Sequence, residues 1–151
     1  MMDEYGLCIP VGKTPEAVLS VILALLEKYD IRKVTLLPSK ETLRYAGLVS
    51  KILLKELNVQ VDIVCVPENS IEGICSTCRK ILREYEVLGL KTIVDVTPGR
   101  KTMSISLYTA ALEHGADKVT YLHLLDERYR GVLYPLIPKP LRKLIILYQR
   151  R

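Results

Sequence analysis

The sequence predicts an α/β fold with a Rossmann-like, doubly wound, mostly parallel six-stranded sheet, helices on both faces and a C-terminal antiparallel hairpin. Three observations lead to this prediction. Short apolar segments alternate with longer segments whose apolar residues recur at helical spacing. Strand-like segments such as Leu36-Leu37 and Ile93-Val94 are apolar without alternation, which is typical of strands covered on both faces. Proline or glycine separates most segments, and this regular alternation favours a parallel sheet.

The first half of the chain predicts three strand–helix units. We expect strands over residues 6–11, 34–37 and 59–66, and helices over residues 15–29, 39–57 and 71–87. Thr14 and Pro15 are residue types preferred at an N-cap and at the first helical position. Ser39 is expected to cap the second helix. That helix should bury one apolar stripe, formed by Leu43, Ala46, Leu48, Ile52 and Leu53.

The second half predicts three further strands and one helix. A strand over residues 92–96 leads into a helix over residues 101–114, which Gly115 ends as its C-cap. A fifth strand covers residues 118–124, and a polar turn at 126–131 leads to a sixth strand at 132–137, antiparallel to the fifth. We therefore expect one domain over residues 1–138 and a basic C-terminal tail over residues 139–151.

Composition and charge limit the classes of function. The chain has 151 residues, of which 49% are hydrophobic and 26% charged, as in an ordinary globular domain and unlike a disordered or disulfide-stapled chain. Its net charge is +5, but five of the 22 basic residues follow Pro138, so the preceding part carries 17 charges of each sign. An anion site must therefore come from a local cluster. We expect no long nucleic acid partner, although the basic tail leaves this open.

The sequence also carries hints about location and source. It contains no run of about 18 uncharged apolar residues, which a membrane span requires. Its start carries Asp3 and Glu4 and lacks the basic region of a signal peptide. We therefore expect a cytoplasmic protein without a membrane partner. The low content of asparagine and glutamine, with two of each, favours a thermophilic source.

Two loops are candidates for a ligand site. In a Rossmann-like strand order, the first and fourth strands are neighbours, and ligands bind beyond the carboxyl ends of such strands. This order places residues 11–15 beside residues 97–102. The first loop has Gly12, Lys13 and Thr14 at a helix N-terminus, where backbone N–H groups and the helix dipole favour an anion. The alternative is an ordinary N-cap beside a solvated lysine.

The second loop, Asp95-Val96-Thr97-Pro98-Gly99-Arg100-Lys101-Thr102, places two adjacent cations at a helix N-terminus. The helix macrodipole disfavours cations there, so the arrangement indicates a ligand that supplies negative charge. Arginine can bind a phosphate with two hydrogen bonds, and lysine adds a compact point charge. We expect Asp95, at the end of the strand, to orient the loop. The alternative is a solvated basic loop.

The same loop, continued to Met103, resembles the Asp-x-Thr-(Gly/Pro)-Gly-x-Lys-x-Met signature of CARF domains, the CRISPR-associated Rossmann fold. The segment from Gly12 to Glu16 is similar to the Gly-x-(Ser/Thr)-Pro-Glu start of that family, and residues 134–138 resemble its closing strands. The resemblance covers about residues 5–140. Pro98 stands at the Gly/Pro position of this signature, where glycine is frequent, and it stiffens the turn.

This resemblance implies a homodimer that binds a cyclic oligoadenylate, such as cyclic tetra-adenylate, on its two-fold axis in type III CRISPR signalling. It also implies a standalone member that acts as a metal-independent ring nuclease without a cofactor. The implied catalytic residues are Lys101, which stabilises charge on the phosphoryl oxygens, and Arg100 and Thr14, which support it. The implied ligand-binding residues are Gly12, Lys13, Thr14, Thr97, Pro98, Gly99, Arg100, Lys101, Thr102 and Met103.

Other interpretations remain open at this point. A non-catalytic sensor would bind the same messenger and signal to a partner. A nicotinamide-dependent enzyme is disfavoured, because the first turn lacks Gly-x-Gly-x-x-Gly and the second strand ends in Pro38 without a ribose-binding acid. A thiol oxidoreductase would use Cys75 and Cys78, whose spacing also allows a disulfide, whereas a zinc site lacks further ligands. We expect no metal, and we expect structural roles for His114 and His123.

Overall fold

One six-stranded sheet organises the protein, which a computed structural model describes over residues 2–151. Its strands are β1 (Glu4–Val11), β2 (Asp30–Pro38), β3 (Gln60–Ile63), β4 (Lys91–Asp95), β5 (Lys118–Leu124) and β6 (Arg142–Gln149). The helices are α1 (Pro15–Lys28), α2 (Leu43–Glu56), α3 (Ile71–Val87) and α4 (Lys101–Glu113). The strand order is β3-β2-β1-β4-β5-β6, and only the β5–β6 pair is antiparallel. The predicted fold class is confirmed.

The helices cover both faces of the sheet and form two apolar cores. On one face, α1 and α2 pack Ile22 and Leu53 against strand residues that include Leu7 and Ile9. On the other face, α3 and α4 pack against strand residues that include Cys8. Successive residues of β1 thus enter opposite cores, as the two-residue period of a strand requires. Burial on both sides explains why the central strands are almost continuously apolar.

The order of the strands reverses between β1 and β4, which lie side by side in parallel. Leu7 pairs with Ile93 and Cys8 with Val94 in this register. The crossover from β1 leads through α1 to β2 on one side, and the chain returns to β4 on the other side. The loops after β1 and β4 therefore emerge next to each other at the carboxyl edge of the sheet. This is the position at which ligands bind in open α/β sheets.

The antiparallel edge strand lies later in the chain than predicted. The sequence predicts a strand over residues 132–137, but this stretch carries a 3-10 turn at Tyr134–Leu136. Pro135 and Pro138 lack an N–H group for a strand ladder, which explains the turn. The edge strand is β6, and it comes from the segment predicted to be the basic tail. Arg142 joins the two segments, because its guanidinium lies 3.7 Å from the Tyr134 ring centroid.

The second helix also differs from its prediction. Ser39 does not cap it; instead, its backbone N–H donates to the Thr42 hydroxyl over 2.9 Å, and α2 begins at Leu43. Leu43 and Leu48, predicted to face inward, are 46% and 49% exposed. The buried stripe of α2 is instead formed by Ala46, Val49 and Leu53.

Candidate functional site

The loops after β1 and β4 touch through two glycines. A Cβ atom built on Gly12 would lie 3.1 Å from the amide nitrogen of Gly99, closer than side chains normally pack. Gly99 has a φ of +86°, and a Cβ there would lie 3.3 Å from the Cβ of Pro10. Because neither residue has a side chain, the two backbones approach closely. The approach forms one wall of a cleft at the carboxyl edge of the sheet.

This cleft has a volume of about 390 Å³ and is lined by residues from all the loops at this edge. Of the ten residues predicted to bind a ligand, the structure brings eight together in its lining. These are Gly12, Lys13, Thr14, Thr97, Pro98, Gly99, Arg100 and Met103. Thr102 lines a neighbouring depression that also contains Arg100. Lys101 is the exposed first residue of α4 and lies outside the cleft lining of the single protomer.

Two helix N-termini point toward the cleft. Thr14 is the N-cap of α1, and Arg100 is the N-cap of α4. Within the described residues, neither side chain makes a capping hydrogen bond. The first N–H groups of a helix have no partner within the helix, and they carry partial positive charge. Two such ends next to Lys13 create an environment that favours an anion.

The cleft is not purely basic, because two carboxylates enter it. The Arg100 Nε atom lies 2.6 Å from Oε1 of Glu68, and its NH2 atom lies 3.8 Å from Oε2 of Glu41. The same oxygen of Glu41 is 3.9 Å from Lys13 Nζ. Lys13 and Arg100 therefore each have a carboxylate beside them.

Reasoning from the sequence missed the glutamates and one further cation. Glu41 follows β2, Glu68 follows β3, and Arg130 follows β5. The carboxyl ends of these parallel strands open onto the same edge as those of β1 and β4, so the strand order indicates that the loops after all five strands share the site. Glu41 stands three residues beyond Pro38, the last residue of β2, and not at the strand end itself.

Asp95, the last residue of β4, holds the loop that follows this strand through hydrogen bonds. Its side chain is fully buried and accepts hydrogen bonds from the Thr97 N–H over 2.8 Å and the Thr120 hydroxyl over 2.7 Å. Burial raises the pKa of this carboxyl to about 6, and the hydrogen bonds partly oppose the rise. The Thr97 hydroxyl in turn accepts a hydrogen bond from the Leu122 N–H over 2.8 Å. These bonds tie the start of the loop to β5, as expected for a residue that orients it.

A second cavity, of about 200 Å³, adjoins the cleft. The two spaces share Ala17, Thr97 and Arg130 in their linings. Tyr121 and His123 line the second cavity, with their ring centroids 6.2 Å apart. His123, expected to be structural, thus lies at a cavity wall. A ligand with a phosphate in the cleft could place a flat ring against these aromatic side chains.

The four cysteines are free thiols, so Cys75 and Cys78, whose spacing allows a disulfide, do not form one. The thiol of buried Cys78 interacts with that of Cys8, and this interaction together with burial raises the pKa of Cys8. Cys75 instead donates to the Ser106 carbonyl oxygen over 3.5 Å, and burial raises its pKa as well. A raised pKa opposes thiolate formation, so the geometry does not favour thiol chemistry. Within residues 2–151, no group of three or more His, Cys, Asp or Glu side chains could hold a metal ion.

The fold and site together define a class: a Rossmann-like domain with a cleft at its switch point, where two helix N-termini meet Lys13 and Arg100. No protein-family model matches the sequence, and no curated protein matches it. Among helices of the described chain, from Met2 to Arg151, none has the length and apolar character needed to cross a membrane.

Solved structures match the fold. Can2 from Sulfobacillus thermosulfidooxidans, in complex with cyclic tetra-adenylate, aligns with a TM-score of 0.62 and 14% identity over 82% of this chain and 32% of that chain. A type III CRISPR defence DNA nuclease activated by cyclic oligoadenylate aligns with a TM-score of 0.63 and 17% identity, over 83% of this chain and 19% of that chain. Enterococcus italicus Csm6, bound to cyclic hexa-2′-fluoro-hexa-dAMP, aligns with a TM-score of 0.61 and 18% identity, over 83% of this chain and 34% of that chain.

These matches show that the chain shares the Rossmann-like fold of these three proteins, and its loop after β4 carries the motif that resembles the CARF signature. At such low identities the likeness is one of fold. The chain also spans only about a third or less of the length of these proteins.

Proposed function

We propose that this protein binds a cyclic oligoadenylate across a homodimer in type III CRISPR signalling and cleaves the ring slowly without a metal. The observation that carries the proposal is the cleft, in which Lys13, Arg100 and the N-termini of α1 and α4 converge. The fold supports the choice of ligand, since neighbours with this fold are complexed with cyclic tetra-adenylate and a cyclic hexanucleotide analogue.

The residues of the cleft suit a phosphodiester. Arg100 can direct two parallel N–H groups at phosphate oxygens, while Lys13 supplies a point charge from the opposite loop. The Gly12–Gly99 contact keeps side chains away from the backbone N–H groups that a phosphate would approach. Glu68, at 2.6 Å from Arg100 Nε, orients the guanidinium. The second cavity, with Tyr121 and its neighbours, is the proposed position of an adenine base.

The homodimer in this proposal follows from the symmetry of the ligand. A ring with an even number of nucleotides can lie on a two-fold axis, so that each protomer presents the same loops to half of it. Helix α4, which begins at the cleft, exposes large apolar side chains on its outer surface. Ile105 is 66% exposed and Leu112 is 40% exposed. We propose this face of α4 as part of the dimer contact.

The proposed cleavage needs positioning and charge stabilisation. The ribose 2′ oxygen attacks the adjacent phosphorus and gives its proton to a base, the bond from phosphorus to the 5′ oxygen breaks, and that oxygen takes up a proton. The product is a linear oligonucleotide with a 2′,3′-cyclic phosphate. Arg100 and Thr14 would hold the phosphate in line for this attack, and Lys101 would stabilise charge on its oxygens. Because Lys101 lies outside the lining of one protomer's cleft, its role requires a ligand that extends beyond this cleft.

A second candidate function is a non-catalytic sensor that binds the ring and passes the signal to a partner. Two observations favour it. The proposed catalytic Lys101 is exposed to solvent outside the cleft. Glu68, one of the two carboxylates in the cleft that could accept the nucleophile's proton, is engaged by Arg100 at hydrogen-bond distance.

Incubation of the pure protein with labelled cyclic tetra-adenylate or cyclic hexa-adenylate, without metal and at elevated temperature, tests both candidates. Gel shift measures binding, and chromatography of the products measures cleavage. Binding with conversion to linear di- or tri-adenylate supports the ring nuclease, and binding without conversion supports the sensor. Binding of neither ring would contradict the proposed function.

A further inference from the structure

The carboxylate of Glu41 occupies an unusual position for a cleft that is proposed to bind phosphate. Its Oε2 atom lies 3.9 Å from Lys13 Nζ and 3.8 Å from an Arg100 terminal nitrogen, and it lines the cleft between them. A negative charge at this point repels a phosphate, so its presence calls for a physical explanation.

Stabilisation of the fold does not explain this position. Both distances from Glu41 exceed hydrogen-bond length, and all three side chains are more than half exposed. Exposed ion pairs of this kind contribute little to stability. Glu68 differs, because it is more buried and lies at hydrogen-bond distance from Arg100. Glu68 is therefore engaged as a partner of Arg100, whereas the acceptor positions of Glu41 remain available to a ligand.

The chemistry of a carboxylate indicates what Glu41 can contact. An ionised carboxylate only accepts hydrogen bonds, so it can contact hydroxyl or amino groups but not phosphate oxygens. In a ribonucleotide, the donor next to a 3′ phosphate is the ribose 2′ hydroxyl. Glu41 also lies in the loop after β2, from which Rossmann-like domains commonly direct an acid at a ribose hydroxyl. The carboxylate lies between the two cations proposed to hold the phosphate.

We infer that Glu41 recognises the ribose of the ligand. Its carboxylate accepts a hydrogen bond from the 2′ hydroxyl of the nucleotide whose phosphate is bound by Lys13 and Arg100. This inference rests on the proposed function and adds to it a preference for ribose. Glu41 is a specificity-determining residue in this arrangement. It weakens binding of phosphate alone and strengthens binding of phosphate next to a 2′ hydroxyl.

The test compares two ligands and three proteins. The ligands are cyclic tetra-adenylate and the same ring with 2′ fluorine, which occupies a similar volume but cannot donate a hydrogen bond. The proteins are the wild type, Glu41→Ala and, as a control with the same change in charge, Glu56→Ala at the far end of α2. Equilibrium affinities are measured at low temperature over times too short for cleavage, and thermal melting verifies folding.

The wild type and Glu56→Ala should bind the ribose ring on the order of 10- to 100-fold more tightly than the fluorinated ring, the usual effect of a charged hydrogen bond. Glu41→Ala should lose this preference and bind the fluorinated ring at least as tightly as the wild type does, because the repelling charge is gone. Equal binding of both rings by the wild type, or an unchanged preference in Glu41→Ala, would overturn the inference and leave the proposed function in place. Binding of neither ring by the wild type would overturn both.

Discussion

Gly12 and Gly99 lie backbone against backbone: a Cβ atom placed on Gly12 would be 3.1 Å from the Gly99 amide nitrogen and 3.3 Å from its Cα atom. This contact joins the loop after β1 to the loop after β4 and sets the width of the cleft at that point. A side chain at position 12 would press on the Gly99 backbone, and one at position 99 would press on Pro10, so glycine suits both positions.

The first prediction concerns Gly99→Ala. Alanine at the left-handed φ of Gly99 should lower the free energy of unfolding by about 1–2 kcal/mol. The matched control is Gly89→Ala, because Gly89 has a φ of +75° with no atom near its Cβ position. We expect Gly99→Ala to lose at least as much stability as Gly89→Ala in chemical denaturation, because its Cβ also meets Pro10, and we expect weaker binding of cyclic tetra-adenylate only in Gly99→Ala. Equal affinities of the two variants for the ring would contradict the proposed position of the ligand.

The second prediction concerns Arg100, the proposed phosphate ligand. Arg100→Ala should weaken binding of the ring on the order of 10- to 100-fold, because a charged hydrogen bond is lost. Arg100→Lys should recover only part of this loss, since lysine cannot form two parallel hydrogen bonds. Titration with labelled ring measures the affinities. Arg32→Ala serves as the control, because Arg32 has similar exposure and also pairs with carboxylates but lies at the start of β2. A loss as large in the control would indicate a general charge effect.

The third prediction separates binding from cleavage at Lys101. If this lysine stabilises charge in the transition state, Lys101→Ala should reduce the single-turnover rate by roughly 100-fold while the affinity for the ring changes much less. Because Lys101 is exposed, thermal melting should be unchanged. Lys80→Ala, on the exposed side of α3, is the control. A cleavage rate equal to that of the wild type would exclude the catalytic role of Lys101.

The fourth prediction concerns pH and Asp95. Burial raises the pKa of this carboxyl to about 6 in the folded protein, above the ordinary value of 3.8, so the folded state binds this proton more tightly than the unfolded state does. Relative to Asp95→Asn, the wild type should therefore gain stability as the pH falls from about 7 to about 4. The gain should reach about 2 kcal/mol at pH 4. Urea denaturation across this range measures the difference, and a difference that stays constant with pH would refute the assignment.

The fifth prediction concerns association through α4. Ile105→Glu should place a charge on the proposed dimer face and shift the protein toward monomer in sedimentation experiments, both alone and with the ring present. Leu54→Glu is the control, because Leu54 is also exposed, at 53%, but lies on α2. If Ile105→Glu remains a dimer to the same extent as the wild type, the proposed dimer contact does not lie on this face.

Sequence patterns predicted the elements that local chemistry determines. The central strands, the four helices and the parallel order around β1 and β4 follow from apolar periodicity and from proline and glycine at the boundaries. The edge strand was misplaced because residues 132–137 are apolar enough for a strand, whereas Pro135 within them and Pro138 directly after them prevent regular pairing. Which segment forms the edge strand depends on which one can pair with the neighbouring strand, and here residues 142–149 pair with β5.

The sequence by itself determined the α/β class and the residue types of the loops after β1 and β4, because apolar periodicity and turn chemistry depend on near neighbours in the chain. The tertiary structure alone decided which distant side chains share the cleft. Glu41 and Glu68 enter it from loops after other strands, and Lys101 lies outside it despite standing next to Arg100. The physical reason is that the order of strands in the sheet, rather than their order in the chain, brings loop residues together, while the start of a helix turns adjacent side chains in different directions.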